Sequence, residues 1–123
     1  MTIFYFFAIN EQMKDQNFLG ELELMILLAI LRLENETYGV PLARELSAVR
    51  GRDVSLGSVY ASVDRLEIKG LVKSKLGEST PERGGRAKRY FSVTAEGLRA
   101  VQTTRRVLTG LWKSLPSREG DLA

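Results

Sequence analysis

Downstream of Gly70 the hydrophobic period of this chain switches from that of a helix to that of a strand, and few small folds accommodate such a switch. Upstream of it, Val59, Val63 and Leu66 fall at i, i+4 and i+7, one apolar stripe on a helix of about three turns. Ser55 is the expected N-cap, its hydroxyl accepting from the first turn. Gly70 is placed to end the helix, because it adopts positive φ without a Cβ penalty. The outer face carries Ser58, Ala61, Ser62 and Arg65, with Tyr60 and Lys69 flanking it. Small hydroxyls, one aromatic and cations suit a phosphate-lined groove. An ordinary solvated face presents similar residues, so the helix alone does not decide.

The residues after Gly70 add weight. Leu71, Val72 and Leu76 suit a short strand, with Lys73 and Lys75 alternating onto one face. Residues 77–87 are turn-rich, and Tyr90, Phe91 and Val93 form a return strand. Arg83 and Arg86 sit at the tip of this hairpin, and Lys88 and Arg89 mark where the return strand begins. Ahead of the helix, Tyr38-Gly39-Val40-Pro41 opens another, with Pro41 acceptable in the first turn. Leu42, Leu46 and Val49 are its expected buried stripe, and Arg50-Gly51-Arg52-Asp53 is the turn between the two. Two short helices joined by a polar turn, the second with a cationic face, form a helix-turn-helix pattern, and a hairpin directly after it is a wing.

Charge shows the same division. Up to Gly70 there are 7 cations and 10 anions; from Leu71 onward there are 11 cations and 5 anions. A field this one-sided attracts polyanions, of which nucleic acid is the commonest. With no Cys and no His in 123 residues, disulfides, thiol chemistry, Cys or His zinc sites and imidazole bases are excluded. No nucleophile–base pair, metal cluster or phosphate-cradling glycine loop stands in their place, and Gly84 and Gly85 lie in a hairpin rather than between strand and helix. The chain is expected not to be an enzyme and to need no cofactor. The absence of an export signal and of a bilayer-length apolar run favours the cytoplasm, without membrane association.

Phe18–Leu33 is apolar nearly all round, as expected of a helix buried on more than one side, by its own core and by a partner subunit. Ile3–Ile9, with four consecutive aromatics, is open to several readings: a helical turn or strand over an apolar patch, a sticky tail, or sequence ahead of a true start at Met13. Thr94 is the expected cap of a last helix reaching about Leu115, with Glu96 favourable to its dipole. Leu98, Val101, Arg105, Leu108, Trp112 and Leu115 are spaced 3, 4, 3, 4, 3, a coiled-coil seam interrupted by Arg105. So short a seam is marginal alone, and no other long helix remains to cover it. Self-association is the economical answer.

Assembled, these segments resemble the PadR family of bacterial winged-helix transcriptional regulators over Phe18 to about Leu115. The resemblance rests on L-G-E-L-E at Leu19–Glu23, T-Y-G at Thr37–Gly39, S-V-Y-A-S-V-D-R-L-E-I-K-G-L-V at Ser58–Val72, and G-R-A-K-R-Y-F-S-V-T-A-E-G at Gly85–Gly97. It implies a recognition helix in the major groove, a wing on the adjacent backbone, and a homodimer built by the last helix with help from the first. By position, Ser58, Tyr60 and Arg65 correspond to the groove-facing set, Arg86, Lys88 and Arg89 to the wing, and Tyr38 to a phosphate contact. It further implies repression relieved by a small hydrophobic effector, with Trp112 a candidate for lining that site; a packing role in the seam is the alternative. Pro41 and the aromatic N-terminal segment depart from the family pattern.

The expected fold class is therefore α+β, mainly helical: a winged helix-turn-helix with a two-stranded wing and a C-terminal dimerisation helix. Its divisions are an N-terminal extension (1–17), the DNA-binding domain (18–93), the dimerisation helix (94–115) and a tail (116–123). The candidate DNA-binding residues are Tyr38, Ser55, Ser58, Tyr60, Ala61, Arg65, Lys69, Lys73, Arg83, Arg86, Lys88 and Arg89. The candidate dimer residues are Leu22, Ile26, Leu98, Val101, Arg105, Leu108, Trp112 and Leu115. The expected partners are double-stranded DNA, bearing a roughly palindromic operator with half-sites about one helical turn apart, and a second copy of the chain. The alternative is a winged-helix module that binds protein, which predicts no salt-dependent DNA affinity.

Overall fold

The computed structural model describes residues 19–79 and 87–116, with only the backbone at 78 and 79. The readings of Ile3–Ile9 and the rest of the N-terminal extension, of Arg83, Gly84, Gly85 and Arg86 in the hairpin loop, and of the tail beyond residue 116 lie outside the described residues. Among the described residues the order is α1 (Glu21–Arg32), α2 (Gly39–Arg50), α3 (Leu56–Ile68), β1 (Val72–Ser79), β2 (Ala87–Val93) and α4 (Ala95–Lys113). The two strands form an antiparallel hairpin in which Val72 pairs with Val93 and Leu76 with Arg89, with an irregularity between Leu76 and Ser79. This is the expected winged helix, mainly helical with a two-stranded wing.

One core holds the six elements together. Ile26, Leu27 and Ile30 from α1, Leu42 and Leu46 from α2, and Val59, Val63 and Leu66 from α3 meet Leu71, Val72, Phe91 and Val93 of the hairpin. The stripe on α3 is the expected one. Its start is fixed by Ser55, whose hydroxyl accepts from Ser58 N at 3.1 Å. Its end is fixed by Gly70, at φ 78°.

Several elements differ from the sequence reading. Helix α1 begins at Glu21 rather than Phe18, because Glu23 reaches back three residues to accept from Gly20 N at 2.9 Å and sets the first turn there. Val49 is 57 % exposed, because the buried stripe of α2 ends at Leu46 and Val49 faces an open groove beside α1. Leu76 is also exposed, standing beyond the point where β1 leaves the core. Pro41 occupies the first turn of α2 without displacing the helix.

By composition residues 34–37, between α1 and α2, read as a polar break, but the stretch is held by specific hydrogen bonds. Glu34 and Asn35 take positive φ, and Asn35 clamps the end of the hairpin: its Oδ1 accepts from Val93 N at 2.7 Å and its Nδ2 donates to Val93 O at 3.4 Å. Thr37 then pairs with Phe91 as a one-residue antiparallel bridge. Thr94 caps α4 by accepting from Gly97 N at 3.0 Å and donates to Gly70 O at 2.7 Å, tying that helix to the end of α3. Among the described residues, no helix is long and apolar enough to cross a membrane.

Candidate nucleic-acid interface

The apolar stripe of α3 faces the core, which turns Ser55, Ser58, Ala61 and Arg65 outward, all exposed. The Ser55 and Ser58 hydroxyls hydrogen-bond to each other at 2.9 Å at the N-terminal end. One turn further along, Arg65 Nη2 donates to Ser62 Oγ at 2.9 Å. Ser62 itself is 1 % exposed, which corrects its expected place on the outer face. It supports Arg65 from beneath, and the guanidinium stays at the surface with donors still free for a base edge or phosphate.

Alternation along β2 sends successive side chains to opposite sides. Lys88 and Tyr90 face the start of α2: the Tyr38 and Tyr90 rings meet edge-on at 5.6 Å between centroids, and Lys88 Nζ lies 4.4 Å above the Tyr38 ring. Gly77 makes room for this group, because a Cβ there would approach Tyr90 Cε2 to 2.6 Å. Tyr38, Lys88 and Tyr90 thus form one aromatic and cationic step between the wing and the helix-turn-helix. Lys73, on β1, is exposed beside it on the wing.

Three residues assigned to DNA from sequence are placed in structural roles. Tyr60 is half-buried, edge-on to Phe91 at 6.1 Å, with its hydroxyl over Gly39 where a Cβ would meet it at 2.5 Å. Lys69 donates to both oxygens of Glu23, at 3.0 and 3.1 Å, and joins α3 to α1. Burial pushes the Glu23 carboxyl up, but the Gly20 N–H, the Lys69 ammonium and the Arg65 charge outweigh it, leaving Glu23 below its ordinary value. Arg89 points away from Lys88, to α3, where Nη2 bonds Glu67 Oε2 at 2.6 Å and Asp64 Oδ1 at 2.9 Å. The sequence carried a signal for this pair, since Asp64 and Glu67 lie three apart on one face of α3.

The candidate dimer residues also divide. Ile26 is 0 % exposed and Val101 is buried, so both belong to the chain's own core and present no surface to a partner. Leu22 is half-buried against that core. Leu98, Arg105, Leu108, Trp112 and Leu115 are exposed, and Val107 and Leu111, which the seam spacing missed, are exposed with them.

A family profile described as the transcriptional regulator PadR-like family matches residues 27–103. The chain belongs to the PadR-like family of transcriptional regulators. Its membership makes it a DNA-binding transcriptional regulator rather than an enzyme. Among solved structures, H. salinarum RosR in its RosR-SG complex is 27 % identical, with a TM-score of 0.63 and coverage of 88 % of each chain. A PadR family transcriptional regulator from Eggerthella lenta DSM 2243 is 23 % identical at a TM-score of 0.58, covering 95 % of this chain and 100 % of that one. A PadR-like transcription factor from Bacteroides fragilis is 21 % identical at 0.65, covering 87 % and 94 %. The latter two share the fold. A search of curated proteins finds no match.

Proposed function

We propose that this PadR-like regulator represses transcription as a homodimer on a roughly palindromic operator. Residues 18–93 form its DNA-binding domain and 94–115 its dimerisation helix. The observation that carries the reading is the outer row Ser55, Ser58, Ala61 and Arg65. It is held outward by a fully buried stripe and flanked by a wing bearing Lys73 and Lys88. In this reading α3 enters the major groove, Arg65 reads a base edge or seats on a phosphate, and the wing lies on the neighbouring backbone. Two such units related by a two-fold axis address two half-sites about one helical turn apart.

The exposed apolar residues at the end of α4, Val107, Leu108, Leu111, Trp112 and Leu115, support the dimer, because a lone helix with such a face is marginal in water. A small hydrophobic effector bound beside Trp112 would change the spacing of the two recognition helices and so release DNA. Replacing Arg65 with Ala should cost about 1–3 kcal/mol of operator binding and relax the sequence preference if it reads a base. Replacing Lys88 should weaken all duplexes alike and lower the salt slope by about one. Gel-shift titrations of both variants check this; unchanged binding in both would mean that the faces are wrongly assigned.

A further inference from the structure

Among the wing cations described, Lys75 pairs with Glu36 at the exposed surface at 3.1 Å and Lys88 lies over the Tyr38 ring, whereas Arg89 is turned in against two carboxylates of α3. Its side chain is 31 % exposed. Nη2 reaches Asp64 Oδ1 at 2.9 Å and Glu67 Oε2 at 2.6 Å, and Nε donates to Ser74 Oγ at 3.3 Å. Ser74 in turn donates to Glu67 Oε1 at 2.6 Å, and the guanidinium lies 5.1 Å above the Phe91 ring. One side chain therefore ties α3, β1 and β2 together. Two-stranded hairpins are marginal on their own, so the angle between wing and recognition helix needs a fastening of this kind.

We propose that Arg89 is a positioning residue that locks the wing to the recognition helix, so that DNA meets the two as one preformed surface. The proposal rests on the DNA-binding reading above and deepens it. A phosphate contact is disfavoured by the local charge: one guanidinium stands beside two carboxylates, and a phosphate drawn to Arg89 would approach Asp64 and Glu67 as well. Burial opposes the charge on Arg89, but the two carboxylates outweigh it, and Glu67 is held below its ordinary value chiefly by the Ser74 hydroxyl and, against some burial, by Arg89. Fixing the wing beforehand removes part of the ordering cost of binding.

The test combines operator titrations across a salt series with amide hydrogen exchange on the DNA-free protein, for wild type, Arg89→Ala, Arg89→Lys and Glu67→Gln. Arg89→Ala should weaken operator binding about tenfold, as expected for the loss of a charge-assisted contact. The slope of log affinity against log salt should stay unchanged, and exchange across β1 and β2 should quicken. Arg89→Lys keeps the charge but not the fork, and should behave like Arg89→Ala. Glu67→Gln is the sharpest arm. It removes a negative charge near a polyanion, yet the proposal requires it to weaken binding. Tighter binding by Glu67→Gln, or an Arg89→Ala slope lower by about one with unchanged exchange, would overturn the positioning role. Should Arg89→Ala fail to fold by circular dichroism, Glu67→Gln carries the test. If wild type itself shows no operator preference, the DNA reading fails separately, and exchange in β1 and β2 still decides whether Arg89 fastens the wing.

Discussion

At Glu23 a carboxylate with little exposure accepts from Gly20 N and twice from Lys69, so it closes the first turn of α1 and joins that helix to the end of α3. Its pKa in the folded chain lies below the ordinary 4.5. A depressed carboxylate contributes stability that is fully present above the unfolded value and is lost as pH falls through the folded one. Glu67 acts in the same direction. Thermal unfolding should therefore hold steady near neutrality and weaken progressively as pH drops below about 4.5. Glu23→Gln should cost about 1–3 kcal/mol at pH 7, by leaving Lys69 without its counter-ion, and should flatten that acid dependence. An acid profile identical to wild type would show that Glu23 is not a stabilising group. The ion pair was not legible in the sequence: Glu23 and Lys69 are 46 positions apart, and only the crossing of α1 and α3 brings them together. Arg65, by contrast, was legible because its position follows from the period of α3 alone.

The elements that sequence predicts well are those defined by local period and caps: α3 between Ser55 and Gly70, and α4 from Thr94. What it misses are junctions between elements, where the partner of a side chain depends on tertiary packing. Asn35 reads as a polar break residue, and becomes a clamp only because Val93 ends β2 beside it. Val49 continues the spacing of Leu42 and Leu46 but lines an open groove beside Met25, Leu28 and Arg32 of α1 instead of entering the core. Gly97 is another junction. A Cβ there would collide with the Leu71 carbonyl oxygen and lie 2.7 Å from Val93 Cγ1, so α4 packs on the end of the wing only because this residue is glycine. Gly97→Ala should destabilise by at least about 2 kcal/mol, well outside the usual range for a helix-favouring substitution. Urea denaturation reads this directly. A gain in stability, as helix propensity alone would give, would mean that α4 does not sit where it is placed.

At the scale of the whole molecule, the chain is a small winged helix whose last helix extends past its own core. Trp112 is the only tryptophan in the chain and is 70 % exposed. If a second copy covers it, its emission should be blue-shifted at high concentration and move red on dilution, and Trp112→Ala together with Leu111→Ala should yield monomers by sedimentation. Emission typical of a water-exposed indole at every concentration would place dimerisation elsewhere. The seam spacing that suggested self-association also drew in Val101, and the all-round apolar first helix drew in Ile26; the chain's own core takes both. Apolar periodicity marks a face for burial without saying whether the cover comes from the same chain.

We propose that the outer row of α3 and the wing together read a specific duplex. Fluorescence anisotropy of the intact protein on its own upstream promoter fragment and on a scrambled duplex, at two salt concentrations, tests it most directly. The predicted result is tighter binding to the promoter that persists at the higher salt, while binding to the scrambled duplex falls away. Equal, salt-labile binding to both duplexes, or none to either, would contradict it.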